Sequence, residues 1–448
     1  MTLQFGTATR DITPAYPVWM HGYSGRDHPS DGVLEPLQLG CLAISDGQTT
    51  LLIVTCDMIG IHADIAQRLA AHLEDLTGVP ADHVLISCSH THFAPALHIQ
   101  QYTSPRVGLV GPDPRFVADL QLKMVEAAQE SLRNLQPASL ETARLAAPQV
   151  AFNRRTVRPD GSVQTNFRYP LDADRYTIGP IDTELFALRV RDELGVRAVL
   201  ANFGCHPVTG GPLGDADHYR LSADYPYYLR QALTAAYGCP AFFTLGGAGD
   251  AVPQDRFGRS RQRIGGILGE SIVLAERRFA ADERATLRAE VVALEAETIL
   301  RTGPAAEAEY EAAREAFLAL LDAEANPREE SYVKANERYQ LASNALFRHQ
   351  LYPDNRFAIP VQFLQIGETM LVGLPFEVLS EFARKMKAAH PHSVLCSCAG
   401  GYQGYLPFAY EYARGGYEAS SASTHFAPGA ADGLLELVLA KLDEWERS

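Results

Sequence analysis

The chain has 448 residues, 46% of them hydrophobic and 21% charged, a balance that supports a large buried core and excludes a disordered or fibrous chain. Lys and Arg total 39 against 54 Asp and Glu, for a formal charge of −15, so the surface field repels phosphate backbones and anionic lipid and argues against nucleic acid as a partner. No apolar run reaches the ~20 residues that span a bilayer, and the opening MTLQFGTATRDITP carries no basic region followed by an apolar stretch, which predicts a cytoplasmic protein without stable membrane insertion.

In chain order, a β-rich run over 51–56 ends at Asp57 and precedes a helical pattern over 64–76. A second run, 84–88, ends at His90 and is followed by a helix over 116–135. The run over 199–204 ends at Cys205 and His206, and a helix follows at 225–236. The run over 241–245 ends in the turn Gly246-Gly247-Ala248-Gly249-Asp250. Residues 303–350 read as two charged amphipathic helices around a turn at Asn326 and Pro327, a hairpin inserted into the domain as a solvated arm, a lid or an oligomer contact. A last run, 370–374, ends at Pro375 and Glu377. Strands alternating with helices predict an α/β fold, a mixed sheet core with flanking helices and both sheet faces buried. Without a linker, an internal repeat or a low-complexity tract, residues 1–448 are expected to form one domain.

The seven cysteines, Cys41, Cys56, Cys88, Cys205, Cys239, Cys396 and Cys398, are odd in number and several lie in apolar runs, so they are expected to be reduced and buried. Cys396 and Cys398 lack the second pair that a thiolate zinc site needs. A G-x-S-x-G nucleophile elbow, a Walker motif and HExxH are all missing, and the GGAGD turn lacks the third glycine of a dinucleotide fingerprint.

The chemistry concentrates in histidines at strand ends. His90 and His92 are two apart after an apolar run, so in extended backbone both imidazoles face one point. Such a pair suits a divalent metal, and it equally suits two histidines that satisfy loop backbone groups. His206 ends another run before Pro207, and Glu377 sits in a mainly apolar segment where a carboxylate needs a cation or strong donors, a salt bridge among them. Residues 400–421 form a glycine-rich loop with five phenols, Tyr402, Tyr405, Tyr410, Tyr412 and Tyr417, which could pack, ligate or donate to an oxyanion.

Taken together these residues resemble the neutral and alkaline ceramidases and their wider bacterial relatives. The match runs in order through Asp11-Ile12-Thr13-Pro14, His21-Gly22-Tyr23, Ser89-His90-Thr91-His92 with Pro95, Asn153-Arg154-Arg155, Gly204-Cys205-His206-Pro207 and Ser222-Ala223-Asp224-Tyr225-Pro226. It continues through GGAGD with Pro253, Leu374-Pro375-Phe376-Glu377, and Tyr405 followed by Tyr417-Glu418. The resemblance implies one Zn²⁺ held by His90, His206, Glu377 and Tyr405. It implies catalytic roles for His92 as proton shuttle and for Arg154 (or Arg155) and Tyr417 as oxyanion donors. The implied reaction is hydrolysis of a small-molecule or lipid-like amide by a metal-activated water; ester or lactone hydrolysis at the same zinc and a metal-free scaffold are the rival readings. A second, structural Ca²⁺ or Mg²⁺ near Asp57, Asp224 or Asp250 stays open. The sequence departs from the family at Phe93-Ala94, at Phe376, and at Leu406, Pro407 and Phe408 after the zinc tyrosine, which alters the expected pocket. It also ends at Ser448, about thirty residues beyond Tyr417, without the leader and C-terminal β-sandwich of secreted ceramidases, which points to a smaller, soluble amide. Oligomeric state is not legible.

Overall fold

The computed structural model describes residues 3–447 except 24–25, 98–100, 103–105, 108, 148–149, 211–215, 300–304, 327–328, 353 and 422. Three stretches of chain repeat one topology. In the first, β1 (Gln4–Asp11), β2 (Gln38–Ser45) and β3 (Thr50–Cys56) form an antiparallel run. Helix α1 (Ala63–Thr77) then crosses back so that β4 (Val84–Cys88) pairs parallel with β3, and α2 (Pro114–Arg133) packs on β1 and β2. The second stretch comprises β5 (Ser139–Ala146), β6 (Glu184–Asp192), β7 (Gly195–Phe203), α3 (Tyr225–Tyr237), β8 (Ala241–Leu245) and α4 (Ser260–Leu274). Here β7 and β8 are the parallel pair and α4 packs on α3. The third begins with β9 (Leu287–Glu297), and after the insertion α5 (Ala305–Asp322) and α6 (Glu330–Leu351) it resumes with β10 (Arg356–Ile366) and β11 (Thr369–Gly373). It closes with α7 (Ser380–Ala389), β12 (Ser393–Cys396) and α8 (Ala430–Arg447), with β11 and β12 parallel.

Local sequence explains the crossovers. A parallel neighbour cannot be reached by a tight turn, so each needs a helix. Helix α1 buries Ile65, Ala66, Leu69 and Leu73, the three-and-four spacing of an amphipathic face. Both α1 and α3 stop at a left-handed glycine, Gly78 (φ 74°) and Gly238 (φ 67°), a conformation that a Cβ would strain. Helix α2 starts at the Asp113 cap, with Pro114 in its first turn.

The inner faces of the three sheets meet in a common core: Leu42, Ile44 and Ile53 from the first, Phe186, Leu188 and Phe242 from the second, Leu364, Ile366 and Leu371 from the third. The opposite faces lie under helices, so the strands read as continuous apolar runs. The chain leaving β12 is sewn to the other two sheets: Ser397 N donates to Leu245 O, Cys88 N to Cys398 O and Gly400 N to Ile86 O.

The fold is mixed α/β, as the sequence predicts, but the core contains three mixed sheets, and a topology repeats where no sequence repeat is visible. The inserted hairpin closes on its own small core of Tyr310, Phe317, Tyr339 and Leu346. Asp322 pairs with Arg106 at 2.7 Å, and Tyr352 donates to Gln403. Asn326 lies between the two helices, while Pro327 lies outside the described residues. All seven cysteines are free and buried. Among the described residues no helix is long and apolar enough to cross a membrane.

Candidate metal centre

In parallel pairs, functional groups collect where strands end, and here the C-terminal ends of β4, β7 and β11 open toward one point. After β4 the backbone turns sharply. Ser89 N donates to Cys56 O, His90 N donates to Met58 O, and His90 itself has φ 66°. The two imidazoles of His90 and His92 therefore converge through a left-handed turn, and not through the strand alternation expected from their spacing. That conformation costs a histidine of order 1–3 kcal/mol, a strain that collects at functional sites. After β7, His206 N donates to Ala251 O. After β11, Glu377 pairs in parallel with Tyr405 through a short two-residue strand, which brings the carboxylate and the phenol to one side.

The donor atoms sit close together. Glu377 Oε2 is 2.8 Å from His206 Nε2 and 3.1 Å from His90 Nε2. Tyr405 Oη is 3.3 Å from His206 Nε2, and His92 Nε2 is 3.4 Å from His90 Nε2. Metal bonds of about 2.0–2.2 Å in tetrahedral array put neighbouring donors about 3.3 Å apart, so the spacing fits zinc. His90, His92 and His206 present ligand atoms within 4.8 Å of one another; among the described residues His390, Asp443 and Glu446 do so too, with both carboxylates exposed.

The tautomers sharpen this fit. His90 Nδ1 lies 2.7 Å from Ile59 O and His206 Nδ1 lies 2.5 Å from Ala248 O. A carbonyl only accepts, so both Nδ1 atoms donate, which fixes the two rings with their Nε2 atoms aimed at Glu377 Oε2. Burial, then the Arg154 charge, lowers the His206 imidazole to about 4, which keeps it neutral. Two imidazole Nε2 atoms thus meet one buried carboxylate oxygen, an arrangement that could hold a cation.

His92 differs from the other two. Its Nδ1 is buried without a hydrogen-bond partner, and burial, then His90 and His206, hold its imidazole well below the ordinary value. Gly22, at φ 111°, lies against this ring; a Cβ there would come within 2.6 Å of His92 Cγ. Arg154 donates from Nη2 to Tyr405 Oη at 2.7 Å and from Nε to Glu418 Oε1 at 2.6 Å. Arg155 instead turns to Glu418 Oε2 at 2.8 Å and to Glu411, so Arg154 is the arginine at the centre. Tyr417 is 41% exposed, its ring 5.6 Å from that of Tyr405 and 5.5 Å from that of Phe167.

The aspartates considered for a second cation have protein partners. Asp57 pairs with Arg230 at 2.5 Å. Asp224 caps α3 and accepts from Thr209 N. Asp250 accepts from Ser380 N, Ser380 Oγ and Asn153 Nδ2. All three carboxylates are thus engaged by protein donors, and among the described residues none belongs to a cluster of three potential metal-ligating side chains. Sequence reasoning gave no role to Tyr402, whose hydroxyl donates to Glu377 Oε1 at 2.6 Å, or to Glu418, which joins the two arginines. Both lay in quoted segments, but only the fold reveals their partners.

The fold is that of the neutral ceramidases, with a buried histidine-carboxylate centre at its strand ends. The crystal structure of the neutral ceramidase from Pseudomonas aeruginosa superposes with a TM-score of 0.71 at 17% identity, over 98% of this chain and 74% of that one. A ceramidase complexed with C2 gives 0.72 at 17% identity, over 100% of this chain and 75% of its own. No family model and no curated protein matches the sequence.

Proposed function

We propose that the chain is a zinc-dependent hydrolase that cleaves the amide bond of an N-acyl compound, small or lipid-like. One observation supports the reading: the Nε2 atoms of His90 and His206 converge on one oxygen of the Glu377 carboxylate while their Nδ1 atoms are tied to carbonyls, a donor set that suits a divalent cation. The ceramidase fold of the neighbours supports the choice of an amide as the scissile bond.

In this reading His90, His206, Glu377 and Tyr405 hold the ion. When bound, zinc supplies Lewis acidity, polarising a carbonyl and lowering the pKa of a water at the site to about 7. His92, whose Nδ1 is not tied to a carbonyl, accepts a proton from the attacking water and passes it to the leaving nitrogen. Proton delivery matters because an amide anion is a very poor leaving group. Arg154 and Tyr417 donate to the carbonyl oxygen as it becomes an oxyanion, and Glu418 fixes the Arg154 guanidinium. The C–N bond breaks, a C–O bond forms, and water supplies the oxygen of the acid and the proton of the amine.

The test is metal content and turnover together. Protein purified without added zinc is expected to carry about one zinc per chain and to hydrolyse an N-acyl amide faster than the matched ester. A chelator should abolish turnover and zinc should restore it. A metal content near zero that soaking does not raise overturns the reading.

A further inference from the structure

Of the buried arginines, Arg154, Arg155, Arg189, Arg230 and Arg261 each pair with a carboxylate. Arg26 does not. It is 1% exposed, and Nε, Nη1 and Nη2 donate to the carbonyls of His218, His21 and His92 at 3.0, 2.8 and 2.9 Å. Burial without a counter-ion lowers its pKa to about 10. Arg256, half-buried, repeats the pattern: Nε and Nη1 donate to Val208 O and Phe167 O, each at 2.8 Å, and Nη2 donates to Tyr23 Oη at 3.2 Å. Among the described residues, every acceptor of both guanidiniums is neutral.

The two charges flank one ring beside the metal centre. Arg26 Cζ lies 5.0 Å from the centroid of Tyr23, the Tyr23 ring is 5.2 Å from the His92 ring, and Arg256 holds the Tyr23 hydroxyl. An uncompensated charge in such a place is costly unless something supplies the opposite sign. Arg26 is sealed from solvent and contributes only its field, whereas Arg256 is only partly buried.

Orientation follows from His92. If it delivers the proton to the leaving nitrogen, the amine half of the substrate lies on its side, by Tyr23 and Arg256. The Arg154–Tyr405 side carries the rings of Phe167 and Tyr417, an apolar wall suited to an acyl chain. We propose that the substrate is an N-acyl amide whose amine half bears a carboxylate, as in an N-acyl amino acid, bound by Arg256 and the Tyr23 hydroxyl. This rests on the amide-hydrolase reading for its orientation.

Two near-isosteric probes test it, N-octanoylglycine and N-octanoylethanolamine, which differ in carboxylate against hydroxymethyl. Calorimetric binding to the metal-depleted full chain is read separately from turnover by the zinc-loaded chain. The carboxylate is expected to bind about tenfold or more tightly than the neutral probe, with a preference that weakens in high salt. Arg256→Gln should bring the ratio near one, and Tyr23→Phe, which keeps the ring against His92, should lower it about threefold. Equal binding of the probes, no binding of either, or a preference that survives Arg256→Gln overturns the proposal. A binding preference without hydrolysis of either probe supports the anion site and sinks the amidase reading; equal binding with turnover of both does the reverse.

Discussion

Replacing Tyr402 by Phe removes a single oxygen, the one 2.6 Å from Glu377 Oε1. The ring itself is held by packing: a Cβ at Gly60 would sit 2.5 Å from it, so phenylalanine fills the same space. What is lost is a hydrogen bond to a buried carboxylate, worth roughly 1.5–3 kcal/mol. Without it Glu377 loses one donor and is less firmly aimed at His90 and His206. At 1.4 kcal/mol per decade this corresponds to about 10- to 100-fold weaker zinc binding, the range usual for a group that orients a ligand. Competition against a chromophoric chelator at neutral pH measures it directly. A dissociation constant equal to that of the parent refutes the argument, provided the parent binds zinc; a parent that binds none refutes the metal centre itself.

Three further outcomes follow. Gly22→Ala drives a Cβ into the His92 ring from a residue at φ 111°, and should lower kcat about 10- to 100-fold with zinc content unchanged; loss of zinc would instead make His92 a ligand. Tyr417→Phe should lower kcat roughly 10²- to 10³-fold at constant zinc content, and full activity removes Tyr417 from the mechanism. Burial raises the Asp224 carboxyl to about 6, so the folded state holds its proton more tightly than the unfolded one. Its contribution is whole below about pH 4 and is lost as pH rises to about 6, a loss of about 3 kcal/mol. Denaturant unfolding of Asp224→Asn beside the parent should therefore show the difference moving in favour of Asn by about that amount between pH 4 and 7, and a flat difference rejects the assignment.

The apolar runs were readable because strands such as β3, β4, β8 and β11 are buried on both faces, which leaves an unbroken β-rich segment and a sharp polar end. Helices α1 and α3 were readable from their amphipathic spacing. His90, His206 and Glu377 stood out because each follows directly on such an end. What brings them together was not readable. The spacing of His90 and His92 gives two residues on one face of a strand, whereas the backbone uses a left-handed turn, and no local propensity marks a histidine for that conformation. The threefold topology was hidden because its copies share strand order and not side chains. Tyr402 looked like one of five phenols in a loop, and Arg256 carried no signal at all, since what sets it apart is that, among the described residues, its acceptors are two carbonyls and the Tyr23 hydroxyl.

Each of the three repeated stretches owns part of the centre: β4 leads to His90 and His92, β7 to His206, β11 to Glu377. No contiguous fragment can therefore assemble the site, and an ion seated there would act as a rivet through all three sheets. A cut in the α5–α6 arm, which carries none of the donors, becomes informative for that reason. If the halves stay clasped, affinity for the ion persists; once they part, it vanishes, making metal release a gauge of global assembly.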